Sequence, residues 1–365
     1  MCIIAGYSGN KNAAPILIEM MKKEEFVDGG LSTGIATIHE GKLHFRKVVG
    51  DVDTLLRETD ALSLPGTTGL IHSRTGGNCV AHAHPFISND GNIALITNGT
   101  SGECDCPEFH ARVNELAKHF VDRGFEFKTA VDKAPENAGK KHELPNGQGF
   151  MPPELYAFMI EEFIEGCPEE NLKAEIAKAT RNVINTLPRN FVTMNVHAKV
   201  PDTITIGNCA RPVTVGFGDG ETFLATIPMA LPDDIQKRPV IHLPTTTVAQ
   251  VSPNGLNILS TSIENARVED VDYRTASAVR VYLEEALKGK KDNPLSIYEM
   301  AFTGELDWEN VWTKPYIDSK FVGNGYLKPY AAICYNALFS FHKEGRLHSV
   351  IGERKGHKIT KYWID

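Results

Sequence analysis

Cys2 occupies the position with the most chemical promise in the chain. With Met1 removed, a thiol and a free α-amine share one residue. An α-amine titrates near ~8, so at neutral pH part of it is unprotonated and able to act as a base. It can take the thiol proton directly or through a water, which delivers nucleophile and base as one unit. The same position also suits a buried cysteine that opens a core strand. Three later blocks set polar residues at the ends of apolar runs: Gly69-Leu70-Ile71-His72-Ser73-Arg74-Thr75, Ala81-His82-Ala83-His84-Pro85-Phe86 and Ala94-Leu95-Ile96-Thr97-Asn98-Gly99. Strand ends are where loops present side chains to a site. Arg74 offers a planar fork for a carboxylate. Asn98 brings a side-chain amide and Gly99 an unhindered N–H, a pair suited to an oxyanion. Taken singly, the blander readings are a surface ion pair for Arg74 and a turn for Asn98-Gly99.

These residues need strands to carry them, and the pattern supplies strands. Cys2 to Tyr7 is a short apolar strand, followed by a helix over Ala14 to Met21 with Ile16, Leu17, Met20 and Met21 on one face. Leu31 to Ile38 and Leu43 to Val49 flank Glu40-Gly41-Lys42 as a hairpin, and Gly69 to Ser73 and Ile93 to Thr97 are two more strands. Helices over Pro107 to Gly124, Pro153 to Gly166 and Glu170 to Thr186 follow, with a polar loop from Asp132 to Gly149 between the first two. Seven short strands then run from Phe191 to Ser260, separated by Pro, Gly, Asn and Asp. Strands, packed helices and more strands describe an α+β layered sandwich, not a repeating βαβ sheet. In the tail, Val271 to Leu287 and Leu327 to Phe341 read as helices, and His348 to Ile351 with His357 to Trp363 as a strand pair. That outline is winged-helix-like. It divides the chain into 1–262, a helical linker 263–293 and a C-terminal module 294–365.

The 365 residues exceed one typical domain, and a 42% apolar, 23% charged composition excludes wholesale disorder. No apolar run approaches the ~20 residues that span a bilayer, and no basic segment precedes an apolar one at the N-terminus. Seven scattered cysteines suit reduced thiols better than a disulfide framework, so the expected location is cytoplasmic. The net charge of −8 speaks against a globally basic nucleic-acid binder. From Lys343 to Asp365 six Lys/Arg stand against three acids, a local +3. That is modest for a phosphate backbone, so nucleic acid is not the favoured partner and a solvated or partner-facing wing is.

The order Met-Cys, then His72-Ser73-Arg74, then Ala83-His84-Pro85, then Asn98-Gly99 after an apolar strand resembles the class II glutamine amidotransferases, which are N-terminal-nucleophile hydrolases. The nearest likeness is to the glutaminase domain of the glucosamine-6-phosphate synthases. It extends through Leu116 to Phe127, Asn190 to Asn195 and Pro201 to Ile227, roughly the first 260 residues. The resemblance implies a four-layer αββα sandwich and hydrolysis of the glutamine side-chain amide through a γ-glutamyl thioester on Cys2. Asn98 and Gly99 match the oxyanion pair, and Arg74 matches the arginine that holds the α-carboxylate, with His72 and Thr75 beside it. It also implies ammonia passed to a separate acceptor synthase or transferase, no cofactor and no metal, with a homodimer admissible. Thr75-Gly76-Gly77-Asn78 forms a shortened loop where the family has an aromatic and a Thr-His-Gly loop. Ser101-Gly102-Glu103 replaces the family's asparagine after Asn-Gly. The family's ammonium-binding Asp falls near Pro152-Pro153-Glu154, which leaves Glu154 to supply the carboxylate. Two other readings stand beside this one: an amidohydrolase of a different amide, and a catalytically silent scaffold whose tail binds nucleic acid or protein. Cys104-Asp105-Cys106 with His110, His82 and His84 lacks Cys-x-x-Cys spacing, and no metal is expected there.

Overall fold

Alternate residues of the first strand enter different cores: Ile3, Ala5 and Tyr7 join one buried cluster and Ile4 another. A strand covered on both faces must be largely apolar, and this one carries Ile3, Ile4, Ala5 and Gly6 before Tyr7 and Ser8. The computed structural model describes residues 2–25, 29–74, 79–99, 107–132, 142–189, 191–261, 267–268, 273–296, 299–300, 326–327, 330–354 and 357–365.

The elements run β1 (Ile3–Ser8), α1 (Ala13–Glu25), β2 (Ser32–His39), β3 (Lys42–Val49), α2 (Val52–Glu58), β4 (Thr68–Arg74), β5 (Phe86–Ile87) and β6 (Ile93–Gly99). Then come α3 (Pro107–Asp122), α4 (Pro152–Phe163), α5 (Leu172–Thr186), β7 (Phe191–His197), β8 (Val200–Asn208), β9 (Thr214–Phe217) and β10 (Thr222–Ala225). The series continues with α6 (Asp233–Gln236), β11 (Val240–His242), β12 (Thr247–Ser252), β13 (Gly255–Ser260) and β14 (Arg267–Val268). It closes with α7 (Tyr273–Leu287), β15 (Leu295–Ser296), β16 (Tyr326–Leu327), α8 (Tyr330–Lys343), β17 (Leu347–Arg354) and β18 (His357–Ile364).

One sheet has the order β11-β9-β10-β1-β4-β2-β3 and a second the order β13-β12-β8-β7-β6-β5. Ile4, Ala36 and Leu70 of the first meet Ala94, Ile96, Met194 and Ile204 of the second, so the sheets face each other. Leu17, Met21 and Leu55 of α1 and α2 cover the outer face of the first sheet. Val113, Phe158 and Ile184 of α3, α4 and α5 cover the outer face of the second. The result is four layers, helix, sheet, sheet, helix.

Local chemistry explains the joints. Glu40 and Gly41 turn β2 into β3 with φ of 48° and 71°, the positive values that a two-residue hairpin requires. Gly124 ends α3 at φ 83°, its N–H reaching Val121 and that of Phe125 reaching Phe120. The sequence pattern gave no sign of α2, which begins where Asp51 caps the Thr54 N–H at 2.8 Å.

In the tail, β15, β18 and β17 form an antiparallel sheet, and β14 pairs with β16 in parallel. The α7 helix, expected as linker, lies against α8: Arg280 bonds Ser340 and Glu344, and Arg346 bonds Glu284 at 2.5 Å. Val279, Leu283, Tyr335, Leu338 and Phe341 of these helices join the same buried cluster as α1. Among the described residues no helix is long and apolar enough to cross a membrane.

Candidate functional site

Register and side-chain alternation bring three of the sequence candidates to one place. The antiparallel pair β1–β4 ends at Ile3 opposite Ser73, so Cys2 and Arg74 are the next residues out at the same end. Ile4 and Leu70 face the second sheet, and with a period of two so do the positions of Cys2, His72 and Arg74. On β6, Ala94 and Ile96 face the first sheet, which gives Asn98 the same direction. The two strand ends are tied together: His72 Nε2 donates to the Thr97 carbonyl at 2.9 Å, one residue before Asn98. Cys2 is partly exposed, Asn98 is enclosed and Gly99 partly exposed.

That tie exists because β5 is short. Phe86 and Ile87 pair with Leu95 and Ala94, and beyond them that edge of β6 has no strand partner among the described residues. His72 and His84 fill the gap, with His84 Nε2 3.1 Å from Thr97 Oγ1 and the two rings 3.7 Å apart. Burial, with His72, Arg74 and Lys47 nearby, holds His84 well below the usual histidine range, so its ring packs there uncharged. The backbone carrying His84 passes directly over Gly34, where a Cβ would stand 2.0 Å from the His84 carbonyl oxygen. Only glycine at position 34 leaves room for that approach.

Arg74 is held by the segments around it. Its Nη1 donates to the His82 carbonyl at 3.0 Å, and its Nη2 lies 3.9 Å from Met151 Sδ. Both contacts lead to Thr129. His82 Nε2 donates to the Thr129 carbonyl at 3.1 Å, and the Met151 N–H donates to Thr129 Oγ1 at 2.9 Å. Thr129 Oγ1 in turn donates to Glu154 Oε2 at 2.5 Å, while Oε1 accepts from the Lys128 N–H at 2.8 Å and Oε2 from the Thr129 N–H at 3.1 Å. Glu154 is 1% exposed, and burial raises its pKa against those hydrogen bonds. Its carboxylate is thus enclosed and taken up by the 128–129 turn. His72 is likewise fully buried, its surroundings those of a strut between the sheets. Thr75 lies outside the described residues, as do Met1, Ser101-Gly102-Glu103 and the Cys104 and Cys106 pair. Among the described residues no His/Cys/Asp/Glu group could hold a metal, and His82 and His84 are engaged with Thr129 and Thr97.

Two neighbours were not found by sequence reasoning. Lys47 Nζ sits 3.5 and 3.4 Å from the Ala81 and Pro85 carbonyls, and burial lowers it to about 8 against the attraction of Glu154 and Cys79. Its signal was weak, because one lysine in an exposed-looking hairpin strand has many ordinary explanations. Thr129 is the hub around Arg74, yet a lone threonine in a polar stretch carries no mark. Asp132 stands exposed three residues after it and accepts from Gln148 Nε2 at 3.1 Å.

No family model matches the chain. The glutamine–fructose-6-phosphate aminotransferase (isomerizing) of Streptomyces coelicolor is 27% identical over 314 residues, 84% of this chain and 45% of that protein. The same-named protein of Pyrococcus horikoshii is 27% identical over 229 residues, 62% of this chain and 32% of that protein. The chain therefore spans less than half the length of these relatives. Among solved structures, the glutamine phosphoribosylpyrophosphate amidotransferase of B. subtilis shares the fold, with a TM-score of 0.54 at 15% identity over 78% of this chain and 58% of that one. Two face-to-face sheets with Cys2, Arg74 and Asn98 at one end, and a sequence that aligns with these relatives, make the chain an enzyme of the class II glutamine amidotransferase type.

Proposed function

We propose that the chain hydrolyses the side-chain amide of glutamine and supplies the ammonia to a separate acceptor enzyme. The observation that carries this reading is the convergence of Cys2, Arg74 and Asn98 from two sheets on one end of the interlayer. Arg74 binds the α-carboxylate. The Cys2 thiol, its proton taken by its own α-amine after loss of Met1, adds to the amide carbon. The Asn98 amide and the Gly99 N–H stabilise the oxyanion that forms. Return of the proton to nitrogen releases ammonia and leaves a thioester, which water cleaves to glutamate and free thiol. Glu154 is enclosed, so in this reading the substrate ammonium meets the exposed carboxylate of Asp132 on the same segment. Thr75, next to Arg74 in sequence, is assigned to the same substrate. We read 1–262 as the catalytic unit. The 294–365 module is in this reading winged-helix-like, which α8 followed by the β17–β18 hairpin supports, and α7 is packed on it. The enclosure of Glu154 favours one second reading, an amide other than glutamine.

The test is glutamate release by the Met1-trimmed chain beside Cys2→Ala. Loss of activity by about a thousandfold or more is expected for the variant. Equal release from both proteins would remove Cys2 from the mechanism. A trimmed, active thiol that hydrolyses other amides and ignores glutamine would establish the second reading.

A further inference from the structure

Arg189 is 5% exposed and makes none of the contacts that normally accompany a buried guanidinium. Its Cζ lies 5.8 Å from the ring centres of Phe109 and Tyr156 and 5.6 Å from that of Phe191. Its Nε is enclosed with no hydrogen-bond partner. Arg74, Arg46, Arg123, Arg280 and Arg346 each have a carbonyl or a carboxylate in reach. For Arg189 no such partner is found among the described residues. Burying a guanidinium without an acceptor is costly, and arginine is almost never deeply buried unless paired. The rings offset part of that cost through their faces, but they do not replace in-plane acceptors for the donor fork.

The surroundings are those of an anion receptor with no acidic partner among the described residues. Phe109, one of the three rings around the guanidinium, is in the first turn of α3, a 16-residue helix whose N-terminal end carries a partial positive charge. Phe109, Tyr156 and Phe191 all belong to the core between the second sheet and its helices. Asn98 faces the other way, into the layer between the sheets, so the place is separate from the clamp at Arg74. It is nevertheless coupled to the same strand end, because Phe191 pairs with Gly99 across β6 and β7.

We propose that Arg189 is the receptor of a small oxyanion, a carboxylate or a phosphate, bound on the helix side of the β6–β7 end. The planar fork fits the two oxygens that both groups present. Occupancy pins Phe191 and through it Gly99. This inference stands whether or not glutamine is the substrate, since it concerns a different face of the sheet.

The full chain is melted at matched ionic strength in chloride, acetate or inorganic phosphate. A saturable rise of about 5 °C is expected in phosphate or acetate over chloride at concentrations well above the dissociation constant. Phosphate alone raising the melting temperature assigns a phosphate-type ligand, and acetate alone a carboxylate. R189Q abolishes the rise, and R189K, which keeps the charge and loses the fork, weakens it. Equal rises in wild type and R189Q mean an adventitious ion only and overturn the proposal, as does no rise in wild type. If R189Q fails to fold, calorimetric titration of phosphate and of acetate into the wild-type chain decides it, absence of binding heat with both being the overturning result.

Discussion

The two faces of the β1–β4 strand ends carry opposite chemistry, although one residue separates them in sequence. Toward the second sheet stand Arg74, the stacked His72 and His84 rings and, from β3, Lys47. Toward α1 stand Ser73 and the carboxyls of Glu24 and Glu25. Ser73 Oγ donates to Glu25 Oε1 at 2.5 Å and accepts the Gly30 N–H at 2.8 Å, and Glu24 Oε1 accepts the Thr226 N–H at 2.6 Å. Burial raises Glu25 to about 7 and Glu24 to about 8, so at neutral pH Glu24 is mostly protonated and Glu25 is about half so. The outer face spends its polar groups on tying strands and helix together. The inner face keeps a cation at an end that a ligand can reach. A strand end can serve both purposes because its period of two separates them completely.

The contrast is broken first by substitution at adjacent residues. Arg74→Lys keeps the charge and loses the fork, so kcat/KM for glutamine should fall about 100-fold while the melting temperature holds. Ser73→Ala should do the reverse. It strips a hydrogen bond from Glu25 and from the Gly30 N–H, costing about 1–2 kcal/mol of stability with KM unchanged. Steady-state kinetics and thermal melts on both variants decide it. A Ser73→Ala protein with raised KM and wild-type stability would erase the distinction between the faces.

A smaller effect is expected one shell away from the guanidinium. Thr129→Val retains shape and removes the hydroxyl that joins Met151 to Glu154. Arg74 then loses a support without losing its charge. KM for glutamine should rise about 10-fold with kcat nearly constant, and Thr129→Ser should restore it. A matched fall in kcat without a change in KM would place Thr129 in a general structural role instead.

How far the sequence discloses this site depends on the kind of signal. Cys2 was legible from its place beside the terminus, and Arg74 and Asn98 because each follows an apolar run, a pattern that strand ends leave in sequence. The hairpin at Glu40-Gly41 and the helix stop at Gly124 were legible because backbone geometry there demands particular residues. The enclosure of Glu154 was not legible for a physical reason. A glutamate in the first turn of a helix looks available, and only the 128–129 turn, distant in sequence, encloses it. Thr129 and Lys47 were invisible because their importance lies in long-range contacts that leave no periodicity. The α7 helix read as a linker because its partner α8 begins after a further 42 residues, beyond any local pattern.

The smallest expected effect concerns pH, and it separates the two faces by sign. Glu24 and Glu25 have folded-state values above the ordinary 4.5, so the folded chain holds more protons than the unfolded one up to about 8. Their contribution is complete below about 4.5 and is lost as pH rises through about 7 and 8. Lys47 works the other way. Its folded value of about 8 lies below the ordinary 10.5, so between these values the unfolded chain holds the extra proton and stability rises with pH. Each group bends the curve by at most about 1.4 kcal/mol per pH unit. Glu24→Gln keeps an acceptor for the Thr226 N–H and has no proton to lose. The atom replacing Oε2 inherits a place that already lacks a partner, so the added cost is small. Chemical denaturation across pH should therefore show the decline toward pH 8 flattened in Glu24→Gln and the rise above pH 8 flattened in Lys47→Met. If Glu24→Gln leaves the decline unchanged, the outer carboxyl is already ionised at neutral pH, and the two faces do not differ in charge as their burial requires.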